Sequence, residues 1–135
     1  MKTNQQFLND LYTIKDIRED SANKQITIRI ELNPSHEIFN GHFPGNPILP
    51  GVCTVQIVKE LLMQHAKKDL MLKKAGTIKY ISFINPEANR LIDFDLQLKN
   101  AEEGGFVCNA TVHHGETVFC SFKGEFTLNK NHKKS

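Results

Sequence analysis

Residues 41–52 read GHFPGNPILPGV, and the arrangement of the whole chain follows from this stretch. It ends a longer segment, Ser35 to Gly51, that holds three prolines and three glycines. Proline fixes φ and has no backbone donor, so neither a continuous helix nor a central strand can run through this segment. It is a shaped loop, and a structured loop of this length in a small domain usually carries function. Gly51 and Val52, at its end, open the one good helix candidate of the chain.

That helix is predicted from about Val52 to Lys67. Val55, Val58, Leu62 and Ala66 recur at spacings of three and four, the period of one helical face. Ile57 and Leu61 widen the stripe beyond half the circumference, so the helix is expected to be largely enclosed. Lys67, Lys68, Lys73 and Lys74 follow near its end, where cations suit the helix dipole.

Strand patterns flank the loop and helix. Upstream, Ile26, Ile28, Ile30 and Leu32 alternate with Gln25, Thr27, Arg29 and Glu31, and Asn33-Pro34 ends the run. Period two with β-branched residues predicts a strand with one buried face. Residues 7–20 are less regular; Leu11, Ile14 and Ile17 fit a short helix or an irregular strand. After Gly76, Ile78, Tyr80, Ser82 and Ile84 mark a strand closed by Asn85-Pro86. Ile92, Phe94, Leu96 and Leu98 mark another. Phe106, Cys108, Ala110 and Val112 follow the Gly104-Gly105 turn, and a last strand begins near Thr117 after Gly115. Short turns between these strands predict an antiparallel meander. A single helix covers five or six strands only if the sheet curls around it, which predicts an α+β architecture.

The chain has 135 residues, 39% hydrophobic and 24% charged, with a formal net charge of +2. This is the size of one domain, expected over residues 1–128. Residues 129–135, with Lys130, Lys133 and Lys134, read as a basic, disordered tail. So small a net charge does not point to nucleic acid. Cys53, Cys108 and Cys120 form no close pair, which argues against a disulfide framework or a zinc site. The N-terminus lacks the apolar core of a secretory signal, and no stretch approaches a membrane span. These features lead to the expectation of a soluble, cytoplasmic protein.

The run from Gly41 to Val52 resembles the active-site signature of the 3-hydroxyacyl-acyl-carrier-protein dehydratases, the FabA/FabZ-like hot-dog proteins. The resemblance implies a curled antiparallel sheet of five to six strands wrapped around one long central helix. It further implies dehydration of 3-hydroxyacyl thioesters to trans-2-enoyl thioesters, with acyl carrier protein or CoA as carrier. By the same resemblance His42 removes the C2 proton, Gly51 and Val52 hold the thioester oxygen, and Phe43 and Pro50 contact substrate. The site would be shared across a homodimer, which can assemble further, and no metal or other cofactor is implied. Elementary chemistry agrees. Histidine transfers protons near neutral pH, and the first N–H groups of a helix can stabilise a developing oxyanion.

One position departs from the resembled family. Its acid, supplied by the partner chain, falls fourteen residues after His42, at Gln56. An amide can donate and accept hydrogen bonds but is no general acid. Loss of such an acid costs about 10²- to 10⁴-fold, so slow turnover is one expectation. His42 can serve as both base and acid while Gln56 positions the hydroxyl. Glu60, one turn later, can reach in, or the protein binds acyl thioesters without dehydrating them. A hot-dog thioesterase and a non-catalytic partner subunit are the competing functions. Gln56 can equally be a polar residue paired inside a dimer interface.

Other polar residues have plainer readings. His36, beside Glu37, reads as a solvated loop residue rather than a second base. His113 and His114 are adjacent on a strand and point to opposite faces, so they do not share a metal ion. Cys53 lies at the helix start, where a thiolate can be stabilised, but a small buried hydrophobe is the simpler reading. The lysines after the helix either solvate it or dock an acidic carrier protein.

Overall fold

A computed structural model describes residues 10–40 and 47–129. In chain order these form β1 (Tyr12–Asp20), β2 (Gln25–Leu32), α1 (Gly51–Ala66), β3 (Leu70–Tyr80), β4 (Leu91–Asn100), β5 (Phe106–His114) and β6 (Thr117–Leu128). All six strands join one sheet in the order β1-β2-β4-β5-β6-β3, and every pairing is antiparallel. The sheet curls around the single long helix, which is the hot-dog arrangement.

The alternation in β2 becomes a buried row. Ile26, Ile28, Ile30 and Leu32 are buried and the residues between them half-buried. Register carries this row across the sheet. Ile28 pairs with Phe94, Phe94 with Val112, and Val112 with Cys120, and all four are buried. The helix meets this face with Ile57, Val58, Leu61 and Leu62, each fully buried, in one continuous core. Each such side chain contributes about 1.5–3 kcal/mol relative to exposure. Val55 and Ala66 are only half-buried, so the buried stripe centres on Ile57 and Leu61 rather than on the Val55–Ala66 line. Lys67, at φ 57°, ends the helix in a left-handed turn, its N–H donating to the Met63 carbonyl.

Two elements differ from expectation. Residues 12–20 form the irregular strand, not the helix. A register shift lies between Ile14 and Asp16, and Ile17 is about half exposed. Pairing with β2 satisfies the backbone where the side-chain pattern is ambiguous. The strand expected after Gly76 instead starts at Leu70 and stops at Tyr80. Shifts between Leu72 and Lys74 and between Ala75 and Thr77 absorb the irregular stretch, so Lys73 and Lys74 belong to β3 rather than to the helix end. Beyond Tyr80, the N–H groups of Ile81 and Ser82 both donate to the Phe119 carbonyl, and the chain turns off the sheet.

Candidate active site

The start of α1 is built to leave donors available. Pro50 is its N-cap and gives no side-chain capping bond; the Cys53 N–H donates to the Pro50 carbonyl at 2.9 Å. Gly51 and Val52 supply the first N–H groups, which have no partner within the helix, and Val52 is 76% exposed. The Leu49 N–H donates to the Ile84 carbonyl at 2.9 Å, which ties the loop end to the segment after β3.

Between these pieces lies a cleft of about 680 Å³ whose lining includes Leu49, Gly51, Val52, Tyr80, Phe83 and Phe119. Its walls are mostly apolar, as a site for an acyl chain requires. The Tyr80 ring closes over the helix start: a Cβ built on Gly51 would lie 2.7 Å from Tyr80 Cε1 and Cζ. With the ring in this position it occupies the space that a side chain at 51 would fill.

Of the residues singled out in the sequence, Pro50, Gly51 and Val52 come together on this cleft. His42 and Phe43 lie outside the described residues. Gln56 is not among the described residues lining the cleft. It sits one turn further along α1, about 6 Å away along the axis, where its Nε2 donates to Glu60 Oε2 at 3.1 Å.

Glu60 is 1% exposed, deep for a carboxylate. Its other oxygen, Oε1, accepts a 2.8 Å hydrogen bond from the Tyr12 hydroxyl. Burial first, and then the Glu60 carboxylate, push the Tyr12 phenol far above its ordinary range, so Tyr12 remains a donor. Burial, followed by the Glu60 charge, also raises the Cys53 thiol. Cys53 is therefore the small buried hydrophobe, not an activated thiolate. The Gln56–Glu60 spacing was legible as one helical turn. Tyr12 was not, because it lies 48 residues from Glu60 in a segment without a clear pattern.

Several other polar groups are tied into the scaffold. Arg29 grips Asp93 through two bonds, Nε to Oδ1 at 2.8 Å and Nη2 to Oδ2 at 3.0 Å. His113 Nε2 lies 2.9 Å from Asp95 Oδ2, and Thr27 donates to Asp95 Oδ1; His113 Nδ1 lies 3.1 Å from the Gly115 carbonyl oxygen, so this ring joins the sheet's polar face to the β5–β6 turn. His36 is half-buried and its Nδ1 accepts from the Ile38 N–H, capping a short 3-10 turn. Lys68 donates to the Gly104 carbonyl and lies over the Phe106 ring, and Lys73 pairs with Glu125. Among the described residues no cluster of metal-ligating side chains occurs.

The sequence profile of the ApeI-like family, described as ApeI dehydratase, matches residues 18–123. The chain belongs to the ApeI-like dehydratases. This ApeI-like chain is also similar to the 3-hydroxyacyl-acyl-carrier-protein dehydratase FabZ of Levilactobacillus brevis. The two are 27% identical over 112 residues, covering 78% of this chain and 74% of that protein. FabZ of Lactococcus lactis is 43% identical over 67 residues, 47% of this chain and 37% of that protein. Among solved structures, the dehydratase heterocomplex ApeI:P from Xenorhabdus doucetiae matches with a TM-score of 0.70 at 16% identity, covering 85% of this chain and 96% of that one. The thioesterase-like protein yhdA of Lactococcus lactis matches with a TM-score of 0.62 at 12% identity, covering 90% and 95%. At these identities the structural matches establish the hot-dog fold alone, a scaffold that hosts more than one chemistry.

Proposed function

We propose that this ApeI-like protein removes water from 3-hydroxyacyl thioesters, carried on acyl carrier protein or CoA, to give trans-2-enoyl thioesters. The observation that carries the reading is the apolar cleft opening on the uncapped helix start at Gly51 and Val52. The acyl chain lies along the cleft, against Pro50 and Phe43, with the thioester oxygen at the Gly51 and Val52 N–H groups. His42 takes the C2 proton and negative charge gathers on that oxygen, where the helix N–H groups stabilise it. The electrons of the broken C2–H bond form the C2=C3 bond as the C3–O bond breaks. The proton on His42 passes to the departing hydroxyl, giving water. Gln56 contributes a hydrogen bond to the 3-hydroxyl rather than a proton.

The site is proposed to be shared by two copies in a homodimer. β3 ends the sheet, so one of its edges is open to another strand. Val52, Ile78, Tyr80, Ile81 and Phe83 are all exposed near this edge and the cleft, an apolar surface of the kind that marks an interface. The separation of Gln56 from the cleft in one protomer supports its delivery by the other. We further infer a cytoplasmic setting, in which the free thiols Cys53, Cys108 and Cys120 remain reduced. Gln56 also favours a second reading, a partner subunit without chemistry of its own.

Incubation with a 3-hydroxyacyl-carrier substrate, followed by mass spectrometry, tests the proposal. Enoyl product from wild type that vanishes in His42→Ala supports dehydration. Product only in Gln56→Glu supports the partner-subunit reading. Free thiol without enoyl product indicates a thioesterase.

A further inference from the structure

The structure assigns Glu60 and Tyr12 as positioning residues that fix the Gln56 amide with its nitrogen inward, leaving its carbonyl oxygen to meet the ligand. This assignment rests on the proposed contact between Gln56 and the 3-hydroxyl, and it adds what kind of group that contact selects.

The argument begins with donor and acceptor identities. A carboxylate accepts and cannot donate. The Gln56 atom 3.1 Å from Glu60 Oε2 is therefore the amide nitrogen, because the carbonyl oxygen would face another acceptor there. Glu60 cannot rotate away from this duty at low cost. Its Oε1 is held by the Tyr12 hydroxyl at 2.8 Å, it is 1% exposed, and an abandoned buried partner is expensive. Tyr12 is itself 3% exposed and sits at the start of β1, paired with Leu32, so the anchor belongs to the sheet rather than to the helix. The chain of donors runs one way: Tyr12 to Glu60 and Gln56 to Glu60. One of the two N–H donors of the Gln56 amide is used on Glu60, and the end of the side chain turned away from Glu60 is the carbonyl oxygen, an acceptor.

An acceptor at that place selects a ligand that donates. A 3-hydroxyl can give its hydrogen to Gln56 Oε1 and keep its lone pairs for the proton carried by His42. A 3-oxo group has only acceptor oxygen and would face the amide oxygen directly. Glu60 is thus inferred to set a preference for 3-hydroxyacyl over 3-oxoacyl ligands through the orientation of Gln56. It does so without touching substrate.

The test measures binding rather than turnover. Calorimetry would compare 3-hydroxyhexanoyl- and 3-oxohexanoyl-pantetheine amides, which lack the reactive thioester, on the full-length protein. Wild type is expected to prefer the hydroxyl ligand by about tenfold, the worth of one hydrogen bond gained against one acceptor clash. In Glu60→Gln the amide at 56 can turn and donate, so the preference is expected to shrink to about threefold or less. A merely structural role for Glu60 would weaken both ligands alike and leave the ratio unchanged. Gln56→Met, at a half-buried position, gives an independent check that removes the amide while Glu60 keeps its bond from Tyr12, and its ratio is expected near unity. An unchanged ratio in either folded variant, or a wild type that prefers the 3-oxo ligand, overturns the assignment while leaving acyl binding in place. Binding of neither ligand to wild type overturns the proposed function, and this assignment with it.

Discussion

Tyr12 and Glu60 meet through a 2.8 Å hydrogen bond between the first residue of β1 and the middle of α1. It ties an edge strand to the central helix through groups that are 3% and 1% exposed. Removing the Tyr12 hydroxyl leaves a buried carboxylate short of a donor. Tyr12→Phe is therefore expected to cost about 2 kcal/mol, the usual range for a buried bond to a charged group, read as a lowered Tm. In a double-mutant cycle with Glu60→Gln the two changes should couple by at least about 0.5 kcal/mol. Additive losses would show that the bond contributes no stability.

Gly51 and Tyr80 predict a steric effect on ligand binding. Gly51→Ala places a methyl group 2.7 Å from the Tyr80 ring, and the ring, about half exposed, yields by swinging within the cleft. Stability should change little, while kcat/KM for an acyl substrate should fall by up to about 10²-fold through misplacement of the reacting groups. Adding Tyr80→Ala should restore part of the loss. Full activity in Gly51→Ala would show that the ring's position is irrelevant.

Phe83 is 77% exposed beside the open β3 edge. Phe83→Ser is expected to leave monomer stability within about 0.5 kcal/mol but to shift sedimentation toward the monomer. Leu61→Ala should do the reverse. Leu61 is fully buried, and its truncation should cost about 2–5 kcal/mol without specifically weakening association. An unchanged sedimentation profile for Phe83→Ser would remove this surface from the proposed dimer.

The Arg29–Asp93 pair predicts a dependence on pH. The Arg29 hydrogen bonds hold the Asp93 carboxyl below its ordinary value of 3.8. A carboxyl with a depressed folded pKa contributes stability that is fully present above the unfolded value and is lost as pH falls through the folded one. The stability gap between wild type and Asp93→Asn should therefore be widest at neutral pH and close as pH drops below about 4. Thermal melts from pH 7 to pH 2 check this; a gap that widens in acid would contradict it.

Local pattern carried much of the architecture. The alternation at Ile26–Leu32 and at Ile92–Leu98 became β2 and β4: every second side chain is buried in β2, and Ile92, Phe94 and Leu96 are buried in β4, with Asp93 buried among them. The loop prolines and the three-four spacing placed α1 to within a residue at each end, since a helix and its breakers are short-range effects. The same stretch puts Pro50, Gly51 and Val52 on the lining of the cleft, because a helix start is a local feature; their roles in binding stand as proposals. His42 and Phe43 were legible only through the resemblance, and their roles stand as proposals.

Long-range pairing decided the rest. Residues 12–20 became a strand because β2 offers a ladder to them, and β3 reached back to Leu70 because β6 tolerates two register shifts. Neither is visible in periodicity, as a partner's backbone leaves no mark on the strand it rescues. The same holds for Arg29 with Asp93, 64 residues apart, and for Tyr12 with Glu60. The sequence by itself determined a single helix inside a curled sheet and the loop that opens it, because burial is written in side-chain spacing. Only the tertiary structure decided that Glu60 is locked from both sides and that Gln56 turns its nitrogen inward. Those facts depend on which donor reaches which acceptor across the core.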